Sequence, residues 1–284
     1  MNFYTTILGS GAAIPTLMRH CSSQVLNING FRMMLDCGEG TQNQVRVFHE
    51  RLQSMALVCI SHLHGDHFFG LPGLLSTMHL CGRTEPVEVV APKGLKHLLE
   101  EVFTYTQSEL GYELRIQELD TEVGAKAFDR TQEGTAVPLS KTLVFENKFC
   151  RVYAFPLWHS VPTFGYSVEE IPRGQNASRR YVYCSDTAYT EAIIPFIEGA
   201  NLLCMESTFA DNFAAVADEK LHMTASRAAT LAKKAQVEEL LLTHFSARYK
   251  TMDAIYEQAS AIFPRVLLAS DGERYPVRYG GIEN

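Results

Sequence analysis

Short apolar runs alternate with stretches of near-helical periodicity along most of the chain. Thr5 to Leu8 reads as an opening strand, and Ser23 to Ile28 and Phe31 to Leu35 as two more, joined by Asn29-Gly30. Both turn residues tolerate positive φ, so the pair predicts a hairpin. A helical stretch is expected from Gly40-Thr41 to about Gln53, then a short buried strand over Ala56 to Ile60. Leu71 to Leu80 predicts a helix and Val87 to Val90 a strand. Gly94 to Thr106 predicts another helix, with Leu95, Leu98, Leu99, Val102 and Phe103 at near-helical spacing. Thr121 to Ser140 is polar and irregular, which predicts an exposed insertion or hairpin tip. Strands resume at Val144-Phe145, Arg151 to Leu157, Phe164 to Val168 and Arg180 to Cys184. Leu202 to Met205 and Glu239 to Thr243 follow, separated by a helix from about Thr224 to Ala235. The second half repeats the strand-helix habit of the first without repeating its sequence. No Pro/Gly/Ser-rich linker divides them, so residues 1–284 are expected to form a single α/β domain of two halves.

Composition narrows this picture without redirecting it. A hydrophobic fraction of 46% and a charged fraction of 20% suit a globular chain with a sizeable core. The beginning, Met1 to Gly9, has no basic leader followed by an apolar stretch, and no apolar run is long enough to span a bilayer, so a cytoplasmic protein is expected. The 7 cysteines are scattered, with no C-x-x-C pair, which argues against a disulfide framework or a thiolate zinc site. Cys37, Cys59, Cys184 and Cys204 lie in or beside apolar runs and read as core fillers. The net charge of -7 repels polyanions, so a nucleic-acid partner requires a local basic patch. Arg19, Arg46, Arg51 and Lys93 could contribute to one, although each taken singly reads as solvated surface.

The chemistry concentrates in Ser61-His62-Leu63-His64-Gly65-Asp66-His67, three imidazoles and a carboxylate directly after an apolar strand. In an extended segment His62 and His64, two apart, point to the same side and can share one metal. Asp66 and His67, at the turn into the next helix, can aim at a second. Nitrogen and oxygen donors without thiolate suit Zn²⁺, with Mn²⁺ or Fe²⁺ also accommodated. Six residues cannot close two sites, so further ligands are sought at strand ends, where loops of α/β folds converge. His159 follows the strand ending at Leu157, Asp186 the strand ending at Cys184, and His244 the strand ending at Thr243. Each alone is an ordinary loop residue; three at strand ends, in order after the loop, make a ligand set.

With these residues in place the chain resembles the metallo-β-lactamase superfamily and, within it, the ribonuclease Z branch, which trims the 3′ end of precursor tRNA. The resemblance covers nearly the whole chain. It rests on Leu8 to Pro15, Leu35 to Gln42, Ser61 to His67 continued by Gly70-Leu71-Pro72-Gly73-Leu74-Leu75, and Ala91 to Gly94. Further marks are Phe164-Gly165-Tyr166, Ser185-Asp186-Thr187, Glu206 to Phe209 and Thr243 to Tyr249. It implies an αββα sandwich and two Zn²⁺ per chain. His62, His64 and His159 would hold the first metal, Asp66, His67 and His244 the second, and Asp186 would bridge them. It further implies that Asp66 handles the proton of the attacking water, that His222 protonates the leaving oxygen and that Glu206 orients His222. The products would be a 3′-hydroxyl and a 5′-phosphate.

The departures from the family pattern touch substrate rather than metal. The family's protruding arm, which grips the tRNA elbow, lies between the Gly-Tyr strand and Ser-Asp-Thr, where this chain has only Ser167 to Cys184. In homodimeric members one subunit's arm can serve the other's site, and a homodimer of this chain has none to lend. The N-terminal loop Pro-x-Lys-x-Arg-Asn appears as Pro15 to His20 without its lysine, and His-Glu-Ala-Thr appears as Met205-Glu206-Ser207-Thr208. The partner is therefore RNA, a tRNA precursor or another, or a small phosphodiester handled by a general phosphodiesterase. The metal loop alone does not choose among phosphodiester, thioester and lactam; the Ser-Asp-Thr and Ser-Ala-Arg-Tyr contexts favour phosphorus. A non-catalytic RNA-binding relative is disfavoured by retention of all seven metal ligands.

Overall fold

A computed structural model describes residues 2–120, 139–172, 174 and 177–280. They fall into two compact units, one of residues 1–120 with 270–275, the other of residues 121–269 with 276–284. The insertion expected over Thr121 to Ser140 lies, but for its last two residues, outside the described residues.

The first unit is built on a seven-stranded mixed sheet. Its strands are β1 (Phe3–Gly9), β2 (Ser23–Ile28), β3 (Phe31–Cys37), β4 (Met55–Cys59), β5 (Val87–Pro92), β6 (Leu114–Leu119) and, from the chain's end, β14 (Arg274–Pro276). The spatial order is β14-β1-β2-β3-β4-β5-β6. Asn29 (φ 53°) and Gly30 (φ 100°) form the expected turn, and Ile28 pairs with Phe31 across it. From β3 to β6 the pairing is parallel, and β3, β4 and β5 are buried on both faces, as crossover helices require, whereas β6 is a partly exposed edge. Helix α1 (Thr41–Val47), the single turn α2 (Gly65–Phe68), α3 (Leu71–Leu80) and α4 (Leu95–Tyr105) supply those crossovers. Leu71, Leu74, Leu75 and Met78 of α3 are buried, the i, i+3, i+4, i+7 stripe of a core-facing helix. They join Val45, Val58, Val89, Leu95 and Leu99 in one cluster, each such side chain contributing about 1.5–3 kcal/mol of burial. In α4 the stripe is narrower than its apolar content suggests, since Leu98 and Val102 are exposed.

Helix α1 ends at Val47, short of the expected Gln53. His49 takes a left-handed φ of 56°, and the Glu50 amide closes back onto the Val45 carbonyl at 2.9 Å. The reversal turns Glu50 inward, where its carboxylate accepts from Thr6 Oγ1 (2.9 Å) and Arg274 (3.3 Å). A buried carboxylate with partners outweighs another turn of exposed helix.

The second unit carries another seven-stranded mixed sheet: β7 (Thr142–Glu146), β8 (Cys150–Leu157), β9 (Thr163–Glu170), β10 (Arg180–Cys184), β11 (Leu202–Glu206), β12 (Glu239–Thr243) and β13 (Val266–Leu268). Their spatial order is β13-β12-β11-β10-β9-β8-β7. The meander β7 to β10 is antiparallel, and β10 to β13 run parallel. The helices are α5 (Ile194–Ile197), α6 (Ala214–Lys220), α7 (Ala225–Lys234) and α8 (Asp253–Ser260). The parallel register sets Cys184 beside Met205 and Glu206 beside Thr243. The carboxyl ends of three neighbouring strands therefore deliver Asp186, Glu206 and His244 to one edge of this sheet. Cys37, Cys59, Cys184 and Cys204 are buried as expected, and Cys81 is exposed.

Candidate metal centre

In the first unit, β4 delivers the histidine loop, and the Ile60 amide donates to the Val90 carbonyl (2.8 Å), fixing where the chain leaves the sheet. His62 Nε2 lies 3.1 Å from His64 Nδ1, and the His62 and His67 ring centres are 4.1 Å apart. His67 Nε2 is 3.4 Å from Asp66 Oδ2, and the latter accepts the Ala13 amide at 2.7 Å. Gly38 is required beside it, because a Cβ there would stand 2.3 Å from the Asp66 carbonyl oxygen.

Beneath the loop sits a residue the sequence reading passed over. Asp36, fully buried at the end of β3 and held at φ 56°, accepts at Oδ1 from the Ser61 amide (2.7 Å). Its Oδ2 accepts from Ser61 Oγ (2.9 Å) and His67 Nδ1 (2.7 Å). An acidic residue in the apolar run Met33-Met34-Leu35-Asp36-Cys37 was the available signal.

In the second unit Asp186 is the centre. Its Oδ1 lies 3.3 Å from His244 Nε2, and its Oδ2 lies 3.7 Å from His159 Nε2 and 3.9 Å from His222 Nδ1. Asp186, His222 and His244 each offer a donor atom within 4.8 Å of the others. The His159 loop is tied to the Asp186 loop by Trp158 N to Thr187 Oγ1 (3.1 Å) and Ala188 N to the Trp158 carbonyl (2.7 Å). His159 Nδ1 donates to the Leu221 carbonyl (3.1 Å), which the left-handed Leu221 (φ 56°) presents at the end of α6. Burial pushes the His159 pKa below its usual value, against the opposing pull of Asp186, so the ring favours the neutral form that a cation requires.

Glu206, fully buried, accepts His222 Nδ1 at 2.8 Å. The same oxygen takes the Thr187 amide (2.7 Å), and the other takes Thr208 Oγ1 (2.6 Å) and the Thr208 amide (3.3 Å). Thr208 also meets His244 Nδ1 at 2.9 Å. The motif Met205 to Thr208 contains this threonine but assigns it no role, which depends on contacts from the end of β12 and from the turn before α7. Both donor sets pair imidazole nitrogens with carboxylate oxygens at close range, held by hydrogen bonds on the far side of the rings, which is what a hard-to-borderline divalent cation takes.

Residues 32–245 match the model of the β-lactamase superfamily domain. Ribonuclease Z of Parabacteroides distasonis is 35% identical over 319 aligned positions that span 97% of this chain and 99% of that one. Ribonuclease Z of Azobacteroides pseudotrichonymphae is 37% identical, covering 97% and 99%. The chain belongs to the ribonuclease Z family. Among solved structures, the short form of human tRNase Z matches with a TM-score of 0.78 at 31% identity, spanning 97% of this chain and 100% of that one. The chain therefore has the metallo-β-lactamase fold expected from its motifs and is a metal-dependent hydrolase that binds a divalent cation. Strands β9 and β10 pair from Tyr166↔Tyr183 to Glu169↔Arg180, and residues 171–179 connect them. Among the described residues no helix is long and apolar enough to cross a membrane.

Proposed function

We propose that this chain is a dinuclear endoribonuclease that cuts the 3′ end of precursor tRNA or a related RNA. His62, His64 and His159 would hold one cation and Asp66, His67 and His244 the other, with Asp186 available to both. The observation that carries the reading is the pair Glu206–His222 at 2.8 Å set beside Asp186: a buried carboxylate backing a histidine next to a ligand carboxylate. When bound, a pair of divalent cations supplies Lewis-acid charge that activates water and offsets the charge of the dividing phosphodiester.

The protein's own groups handle the protons. Asp66 takes the proton of the attacking water as oxygen adds to phosphorus. His222, with its Nδ1–H on Glu206, gives a proton from Nε2 to the departing 3′ oxygen. The bond from phosphorus to that oxygen breaks, leaving a 3′-hydroxyl and a 5′-phosphate. Glu206 stabilises the imidazolium before transfer and keeps the ring aimed, and a histidine's reference pKa near neutrality suits both duties.

The same reading carries Zn²⁺ as the metal, a cytoplasmic place of action and a homodimeric assembly. The short 171–179 link favours a second substrate class, small phosphodiesters. Cleavage of a 3′-extended precursor tRNA measured beside an activated aryl phosphodiester separates the two. Efficient trimming supports the tRNA reading; turnover of the aryl ester alone replaces it with a general phosphodiesterase.

A further inference from the structure

The two units contain the same arrangement of four side chains, built from different residues. In the first, the carboxylate of Asp36 takes a backbone amide (Ser61, 2.7 Å) on one oxygen. It also takes a histidine directly (His67 Nδ1, 2.7 Å) and a hydroxyl (Ser61 Oγ, 2.9 Å), and that hydroxyl touches a second histidine (His62 Nδ1, 3.0 Å). In the second, Glu206 takes a backbone amide (Thr187, 2.7 Å), a histidine directly (His222 Nδ1, 2.8 Å) and a hydroxyl (Thr208 Oγ1, 2.6 Å). That hydroxyl touches a second histidine as well (His244 Nδ1, 2.9 Å). Even the looser contact recurs, hydroxyl to the directly held histidine at 3.4 Å in each. All four side chains that join the rings, Asp36, Ser61, Glu206 and Thr208, are buried.

A hydroxyl has one proton to give and lone pairs to spare, whereas a carboxylate only accepts. Ser61 and Thr208 must therefore spend their single proton on Asp36 and Glu206, and the short contacts of 2.9 and 2.6 Å are those of charge-assisted bonds. What remains toward His62 and His244 is a lone pair, so each of these rings must carry its proton on Nδ1. We infer that Ser61 and Thr208 are positioning residues, relays through which one buried carboxylate in each unit fixes the tautomer of a second histidine and leaves its Nε2 to a cation. That Nε2 of His62 faces His64 Nδ1 and that of His244 faces Asp186 Oδ1. In the second unit the carboxylate that orients the proton donor His222 also sets the ligand His244, so proton donation and metal binding share one anchor.

The inference deepens the proposed metal reading and rests on it for the metal consequence, but the tautomers are read without metal. Histidine-selective ¹⁵N spectra of the metal-free full chain should show a proton on Nδ1 of both His62 and His244. A bare Nδ1 at either overturns the relay. Metal titration of variants tests the consequence. Thr208→Val should weaken zinc binding about 10–100-fold and Thr208→Ser should restore it. Glu206→Gln is the sharper case, although Glu206 is not among the proposed ligands. The Thr187 amide and His222 both hold one oxygen at short range, so the new amide keeps its oxygen there and turns its NH₂ toward Thr208, giving up the longer Thr208 amide contact, and the Thr208 hydroxyl then donates to His244. The tautomer should flip and zinc affinity fall as in Thr208→Val. Wild-type affinity in both Thr208→Val and Glu206→Gln contradicts the relay, whereas a wild-type chain that binds no zinc contradicts the metal reading alone, because the spectra still report the tautomers.

Discussion

Nε2 of His244 stands 3.3 Å from Oδ1 of Asp186, with both side chains almost closed to solvent. The other oxygen of that carboxylate is 3.7 Å from His159 Nε2, so a single side chain serves two imidazoles from two different loops. Asp186→Ala should abolish hydrolysis and lower the occupancy of both cations, measured as metal per chain after zinc supplementation. Unchanged metal content in an inactive variant contradicts the shared role.

His222 touches Glu206 and lies at the margin of Asp186, and its proposed task is proton donation. Replacement by Ala should reduce kcat about 10²–10⁴-fold, with metal content and KM close to wild type. A leaving group that needs no proton, such as a nitrophenolate, should recover most of the loss; equal losses on both esters assign His222 a different role.

Gly38 lies where a Cβ would come within 2.3 Å of the Asp66 carbonyl oxygen and 2.6 Å of the Cys21 Cβ. Neither neighbour is a flexible chain end, so Gly38→Ala should cost about 1–3 kcal/mol of stability and shift the metal loop. Denaturant midpoints of the metal-free chains measure it, and a neutral result removes the close approach.

Tyr112 donates to the Leu75 carbonyl at 2.9 Å, and burial raises its pKa from 10.0 to about 12, with nearby Arg83 pulling the other way. The folded phenol keeps its proton where the unfolded one releases it. Its contribution is therefore complete below pH 10 and is lost as pH rises toward 12. Tyr112→Phe should lower stability at neutral pH by about 0.5–1.5 kcal/mol, the net value of one hydrogen bond, and lessen the alkaline fall. Parallel stability curves for the two proteins above pH 10 contradict the shift.

Periodicity made the strongest elements readable before any coordinates: the Asn29-Gly30 hairpin and α3 follow from local chemistry alone. The end of α1 does not, because it is decided by Glu50 reaching Thr6 on another strand. Strand β6 escaped because it is a polar sheet edge, alternately exposed along Leu114 to Leu119. The site divides the same way. Imidazoles and carboxylates announce themselves by type and spacing, so His62 to His67 stood out, and strand ends pointed to His159, Asp186 and His244. Ser61 and Thr208 are common residues whose importance lies in which proton they are obliged to give away, and only the contacts with Asp36 and Glu206 reveal it.

The central claim is metal-dependent hydrolysis that delivers the proton of His222 to a 3′ oxygen. Its most direct test is the end-group analysis of a defined 3′-extended RNA cut by the full chain, before chelation, after it and after zinc is restored. A 3′-hydroxyl upstream and a 5′-phosphate downstream, lost with the metal and regained with it, is the predicted result. A 2′,3′-cyclic phosphate, or cutting that survives chelation, contradicts it.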